Sequence, residues 1–168
     1  MIVRIVRVVR NVRIVQGVRI VVIMLTALAQ TDGRMQAQGS GILVRHRAPT
    51  DRALDFQLAA LQAEFADMKA QKRASTRMVE GDTFSMNARY LTGAEAAQIH
   101  KTITEFYFVR DGSATLVTGG AIVNKAIRGG VERVIKPGDV VFIPPGVPHA
   151  IRETAGISYL NIHFGGTD

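Results

Sequence analysis

The chain has 168 residues, no cysteine, no tryptophan and a formal net charge of +7. That length holds one domain of ordinary size with a real core. Without cysteine there is no disulfide framework and no thiolate metal site, so any metal must be held by imidazole, carboxylate or amide groups.

The charge is concentrated at the start. Arg4, Arg7, Arg10, Arg13 and Arg19 are five of the 21 basic residues, and residues 1–29 contain no acid. The rest carries 16 basic against 14 acidic residues, without a basic block or basic-aromatic interleaving, so no nucleic-acid partner is expected. The Arg-studded stretch runs into IVVIMLTALA (20–29) and ends in Ala27-Leu28-Ala29, the layout of a secretory signal peptide cleaved before Gln30. This apolar run is about half the ~20 residues that cross a bilayer as a helix, so no stable membrane span is expected after processing. The expected location is periplasmic or secreted. Arginine at every third position also fits a start codon assigned too far upstream, which would make the protein cytoplasmic, or an uncleaved basic arm.

Residues 30–80 read as a linker followed by an amphipathic helix. The Gly/Gln/Ser-rich stretch 30–48 is an irregular lead-in, with His46 in solvent. Thr50 and Asp51 then offer a cap and a first-turn acid. Leu54, Leu58, Leu61, Phe65 and Met68 follow as one apolar stripe at helical spacing, suited to packing on the domain or on a second copy in a homodimer.

From residue 81 to 168 the period is two. In DTFSMNARYL, Phe84, Met86, Ala88 and Tyr90 alternate with Ser85, Asn87 and Arg89, as in a strand with one buried face. Short β-type runs follow at 105–109, 114–118, 131–135, 140–143, 149–153 and 157–164. Asp111-Gly112, Gly119-Gly120, Gly129-Gly130, Pro137-Gly138, Pro145-Gly146 and Ala155-Gly156 separate them as turns, Asp111-Gly112 being of the hairpin type. This spacing predicts an all-β sandwich or barrel, without room for a βαβ unit. No phosphate loop, GxSxG elbow or HExxH motif is present.

Two stretches stand out chemically. Gln98 and His100 share a face if the chain is extended, while Glu105 has the opposite parity and joins them only if residues 101–104 turn. Further on, Lys136-Pro137-Gly138-Asp139 suits a type II turn, and VVFI runs into Pro144-Pro145-Gly146-Val147-Pro148 just before His149. Each proline fixes its own φ and restricts its predecessor, so this loop holds one imidazole rigidly. Tyr107 shares the parity of Glu105 and faces a cavity or fills the core. His163, in phase with Tyr159 and Asn161, reads as a strand-edge or core residue.

Together the two stretches resemble the cupin superfamily, whose first motif is G-x5-H-x-H, three or four residues, Glu, six residues, Gly, and whose second is G-x5-P-x-G-x2-H-x3-N. Gly138, Pro144, Gly146 and His149 match the second, with Glu153 in place of its Asn. His100, Glu105 and Gly112 match the first, with Gln98 in place of its first histidine and Gly93 one residue too close. The resemblance implies a double-stranded β-helix (jelly-roll) barrel with one preceding α-helix. It also implies a divalent metal on His100, Glu105 and His149, with Gln98 as a weak fourth ligand. Two imidazoles and a carboxylate suit non-haem Fe(II) and also accept Zn, Mn or Ni. The function expected is a metal-dependent oxygenase, isomerase or lyase acting on a small oxygenated molecule, with Glu105 or Tyr107 as the candidate catalytic group. The alternative is a non-catalytic small-ligand-binding or structural module. If the leader directs export, the mass of the mature protein will place its first residue at Gln30; a mature protein beginning at Met1 refutes the cleavage.

Overall fold

The computed structural model describes residues 42–166. The basic leader, the cleavage position before Gln30 and most of the Gly-rich lead-in lie outside the described residues.

The elements in chain order are β1 (Leu43–Arg47), α1 (Leu58–Ala70), β2 (Ser75–Glu80), β3 (Phe84–Leu91), β4 (Ile103–Thr118), β5 (Ala121–Val123), β6 (Ala126–Arg128), β7 (Val131–Ile135), β8 (Val140–Ile143) and β9 (His149–Gly165). One sheet carries the order β1-β2-β3-β9-β4-β7, with β8 also on β4, and β5-β6 form a separate hairpin. Among the described residues no helix is long and apolar enough to cross a membrane.

The centre of this architecture is the long antiparallel pair β4·β9. Its first half, Ile103–Val109 against Tyr159–Gly165, is flanked by β8 and β3. Its second half, Ala114–Thr118 against His149–Thr154, is flanked by β7 and by the stretch before His100, where Gln98 and His149 exchange two backbone hydrogen bonds of 2.9 Å. Two differently flanked halves of one bent ribbon enclose the barrel.

The bend corrects one expectation. Asp111-Gly112 and Ala155-Gly156 do not separate strands. Both lie within continuous strands, where the β4·β9 register shifts between Val109 and Asp111 and again between Ser113 and Ala114. Gly112 has φ +74° and Gly156 φ +150°, and a Cβ on Gly112 would overlap the Gly156 carbonyl oxygen. A glycine with positive φ serves a bulge as readily as a hairpin, and here it kinks both strands together. Lys136–Asp139 is the expected turn, closed by Asp139 N–H donating to the Lys136 carbonyl at 3.0 Å with Gly138 at φ +92°.

The helix also differs from its sequence reading. It begins at Leu58, with Gln57 as an N-cap that makes no side-chain bond, rather than near Thr50. Leu61, Phe65 and Met68 are buried on the outer face of the sheet against Met78 and Ala88, while Leu58 is 56% exposed and Leu54 precedes the helix. Phe56 packs against this cluster from the lead-in. A helix extended back through it would turn Phe56 to the opposite side. Two strands, β1 and β2, lie in the stretch read as linker and helix, β1 pairing parallel to β2.

In β3 the expected face packs under α1 through Met86, Ala88 and Tyr90, whereas Phe84, expected on the same face, is exposed at the start of the strand. The other face is also covered. Ser85, Asn87 and Leu91 are buried as well. With a helix capping the outer face, the inner face is free to be polar. Deeper in the barrel the filling is apolar, with Leu91, Val109, Leu116, Ile135, Val141, Ile143, Ile151 and Ile157 in one cluster.

The kink yields a stability contrast. Gly112→Ala is expected to destabilise by about 3 kcal/mol or more, since it adds steric overlap with backbone to an unfavourable φ. Gly119→Ala, at φ +77° but in open space, is expected to cost only about 1 kcal/mol. Denaturant midpoints measure both, and equal losses would contradict the assigned role of the bulge.

Candidate metal centre

Glu105 lies on the inward face of β4 and is 1% exposed. One carboxylate oxygen, Oε1, is 3.0 Å from His100 Nε2 and 3.2 Å from His149 Nε2. The other, Oε2, accepts a hydrogen bond from Asn161 Nδ2 at 3.0 Å and lies 3.4 Å from His163 Nε2. Burial by itself pushes this carboxyl up, but the His100, His149 and His163 imidazoles around it prevail and hold it well below the usual carboxylate range. It is ionised at neutral pH.

The loop before β9 aims His149. Val147 N–H donates to the Pro144 carbonyl at 3.4 Å across Pro145-Gly146, with Gly146 at φ +78°, closing a type II turn. His149 Nδ1 is 3.0 Å from the Val147 carbonyl oxygen. A carbonyl only accepts, so Nδ1 carries the proton and Nε2 is the ring atom turned to the barrel. The same loop holds His100, because Gly146 N–H donates to the His100 carbonyl at 2.7 Å. The bend at residues 101 and 102 then leads into β4 and allows His100 to meet Glu105 despite their opposite parity.

These atoms suit a divalent cation. His100, Glu105 and His149 each offer a ligand atom, all within 4.8 Å of one another. Imidazole nitrogens at 3.0 and 3.2 Å from one buried carboxylate oxygen are held there by a shared proton or a shared cation. Glu105 Oε1 is buried and makes no hydrogen bond, and the same is true of His163 Nε2. A cation shared by the surrounding nitrogens and oxygens satisfies such atoms together. The carbonyl that fixes the His149 tautomer is the outer partner that ligating histidines use.

Gln98 is brought beside His149 by backbone pairing, and its side chain is exposed. Tyr107 is buried, 4.8 Å from the Tyr159 ring and 6.4 Å from the His149 ring between centroids. Burial chiefly, then the Tyr159 phenol and the Glu105 charge, hold its hydroxyl well above the ordinary phenol range. It is a neutral donor. His163, read from the sequence as an edge or core residue, reaches the Glu105 carboxylate. Its shared phase with Asn161 is the signal that could have found it, since Asn161 also faces Glu105. Asn161, Asn87 and Ser85 continue the polar lining: Asn87 Nδ2 donates to Ser85 Oγ at 3.2 Å and to the Asn161 carbonyl at 3.3 Å.

Bent ribbon, glycine-proline turns and an internal imidazole-carboxylate cluster define a small double-stranded β-helix barrel. Residues 88–162 match the family model described as a cupin domain, in line with the resemblance of the two motifs to the cupin superfamily. No curated protein matches it by sequence. Among solved structures it is similar to the BH2720 protein of Bacillus halodurans, at 15% identity and a TM-score of 0.54, over 71% of this chain and 86% of that one. It is also similar to the NMB1881 protein of Neisseria meningitidis, at 18% identity and a TM-score of 0.50, over 68% of this chain and 100% of that one. A Bacillus subtilis oxalate decarboxylase is similar at 20% identity and a TM-score of 0.41, over 51% of this chain and 22% of that one.

Binding a cation only in the folded state stabilises the fold. A divalent metal at 100 times its dissociation constant is expected to add about 2.7 kcal/mol, seen as a higher melting temperature. Glu105→Gln, which keeps the shape and removes the charge, should abolish most of that increase. An equal rise in both proteins would contradict the assignment of Glu105 as a ligand.

Proposed function

We propose that this protein holds a divalent cation on His100, Glu105 and His149 and acts through it on a small oxygen-rich molecule, as a metal-dependent oxygenase, isomerase or lyase. The observation that carries this reading is the buried Glu105 carboxyl with imidazole nitrogens at 3.0 and 3.2 Å from one oxygen. The cluster is also approachable. The side chains of His100 and His163 are 22% and 23% exposed, against 2% and 5% for Glu105 and His149, so the centre opens on the His100 and His163 side. The composition of the leader supports an exported protein.

A bound divalent cation would polarise an oxygen of such a molecule as a Lewis acid. The chain's own residues have narrower tasks. Glu105 supplies the negative charge of the ligand set, and Asn161 orients it through Oε2. The proline turn fixes His149 and His100, limiting rearrangement on binding. Tyr107, protonated and buried, is suited to donating a hydrogen bond and ill-suited to accepting a proton. Ser85 and Asn87 line the same side with polar atoms, as recognition of oxygen functions requires.

The commitments of Glu105 and Tyr107 also favour a second reading. Both sequence candidates for proton transfer are occupied, one among imidazoles and one as a neutral phenol, which suits a module that binds without turnover. Two measurements separate these readings. Elemental analysis of the reconstituted wild type is expected to give about one equivalent of metal, and His149→Ala less than about a tenth of that. Acetohydroxamate, a bidentate oxygen donor, should then change the visible spectrum of the Co(II)-loaded protein. A filled ligand sphere would leave the spectrum unmoved and decide for binding without chemistry; a wild type that takes up no metal would refute the metal-dependent reading and leave the non-catalytic module.

A further inference from the structure

The cupin pattern expects an imidazole where this chain has Gln98, which leaves the centre one nitrogen ligand short. We propose that His163 supplies that imidazole, so that the cation is held by three histidines and Glu105, the third histidine arriving from the last strand rather than from the first motif. This inference rests on the metal-holding reading above.

Register is the first ground. Glu105 and His163 are direct partners in the antiparallel β4·β9 ladder, so their side chains leave the sheet on the same, inward face. His163 is also paired on its other side, with Ser85 of β3. Its backbone is held by neighbours on both edges, and its imidazole is delivered from a rigid element.

The second ground is the state of the ring nitrogen. His163 Nε2 is buried, makes no hydrogen bond and lies 3.4 Å from Glu105 Oε2. A buried polar atom without a partner needs an explanation. Hydrogen bonding to the carboxylate does not provide one, because His163 Nε2, though 3.4 Å from Oε2, does not meet the geometry of a hydrogen bond. A cation between the ring and the carboxylate does. The His163 and His100 rings are 5.8 Å apart between centroids, close to the 5.5 Å separating His100 and His149. His100 therefore stands between two further imidazoles at similar range.

The third ground is Gln98 itself. It sits next to His149 along the backbone, yet its side chain is exposed, and an amide oxygen is a weaker ligand than imidazole for borderline metals. With His163 in the set, the nitrogen count of a three-imidazole, one-carboxylate centre is restored from a different strand.

The test counts imidazoles. On the full chain loaded with Cu(II), pulsed electron paramagnetic resonance reads the number of coupled imidazole nitrogens, and X-ray absorption of the Zn(II) form gives an independent count. Three are expected in the wild type, two in His163→Gln and three in Gln98→Ala. Loss of His163 should weaken binding by more than the roughly 10–100-fold that removal of an outer partner costs. A wild type with metal bound by two imidazoles overturns the proposal and leaves the metal-holding reading intact, and this outcome needs no variant to fold. Three imidazoles retained in His163→Gln would also overturn it. A wild type that binds no metal removes both readings together.

Discussion

His149 pairs with Thr118 at one end of the β4·β9 ribbon, and Glu105 pairs with His163 near the other. Thirteen residues of straight strand would separate Glu105 from Thr118 by about 40 Å. Yet His149 Nε2 is 3.2 Å from Glu105 Oε1. The ribbon must fold back on itself, and the place where it does so is the glycine pair at 112 and 156. There the strands approach too closely for a side chain on Gly112, and the register slips on both sides of the contact. Barrel closure and assembly of the cluster are thus one event. Any substitution that straightens the bulge separates the cluster before it touches any of the clustered side chains directly.

Closure also sorts the interior. One part of the barrel is filled by aliphatic side chains with the Tyr107 and Tyr159 rings, and another by Glu105, His149, Asn161, Asn87 and Ser85, with His100 and His163 half-buried beside them. A buried carboxylate is tolerable only with compensating partners, so the polar residues gather around it. Helix α1 makes this affordable for β3, because its outer residues bury apolar area against Leu61, Phe65 and Met68. The strand thereby retains its hydrophobic anchorage while turning its polar face inward. This is the reverse of a simple sandwich strand, and the exposed opening beside His100 and His163 lies at the polar end.

The sequence makes the turns legible and the faces much less so. Pro137-Gly138 and Pro145-Gly146 are readable because proline fixes φ and glycine permits positive φ whatever surrounds them, and the side chains spaced from them do converge in space: His100, Glu105 and His149. Gly112 misleads for a related reason, since positive φ serves a hairpin and a bulge alike and only the length of the partner strand decides between them. The alternation in β3 is equally plain, but period two cannot say which side a helix will cover. His163 is the most instructive case. Its phase with Tyr159 and Asn161 is visible in the chain, whereas its partner across the ladder depends on a register set by the bulges. The helix start was obscured by Phe56, whose anchoring against the sheet is a long-range contact.

The concentration of prolines before His149 has a physical reason broader than rigidity of one side chain. The loop from Pro144 to Pro148 makes three backbone connections: Gly146 N–H to the His100 carbonyl, the Val147 carbonyl to His149 Nδ1, and the Pro148 carbonyl from Gly119 N–H at 2.8 Å. One short segment therefore positions two imidazoles from opposite parts of the chain and ties them to the end of β4. A flexible loop with the same contacts would lose conformational entropy when a ligand drew the imidazoles together. Here most of that loss occurs on folding, through residues whose φ is already restricted in the unfolded chain. The result is a preorganised pair of nitrogens around a carboxylate that the bent ribbon has already delivered. That division of labour, with glycine bending the ribbon and proline holding the loop, explains why the turn residues of this domain are as informative about its chemistry as the clustered imidazoles and carboxylate themselves.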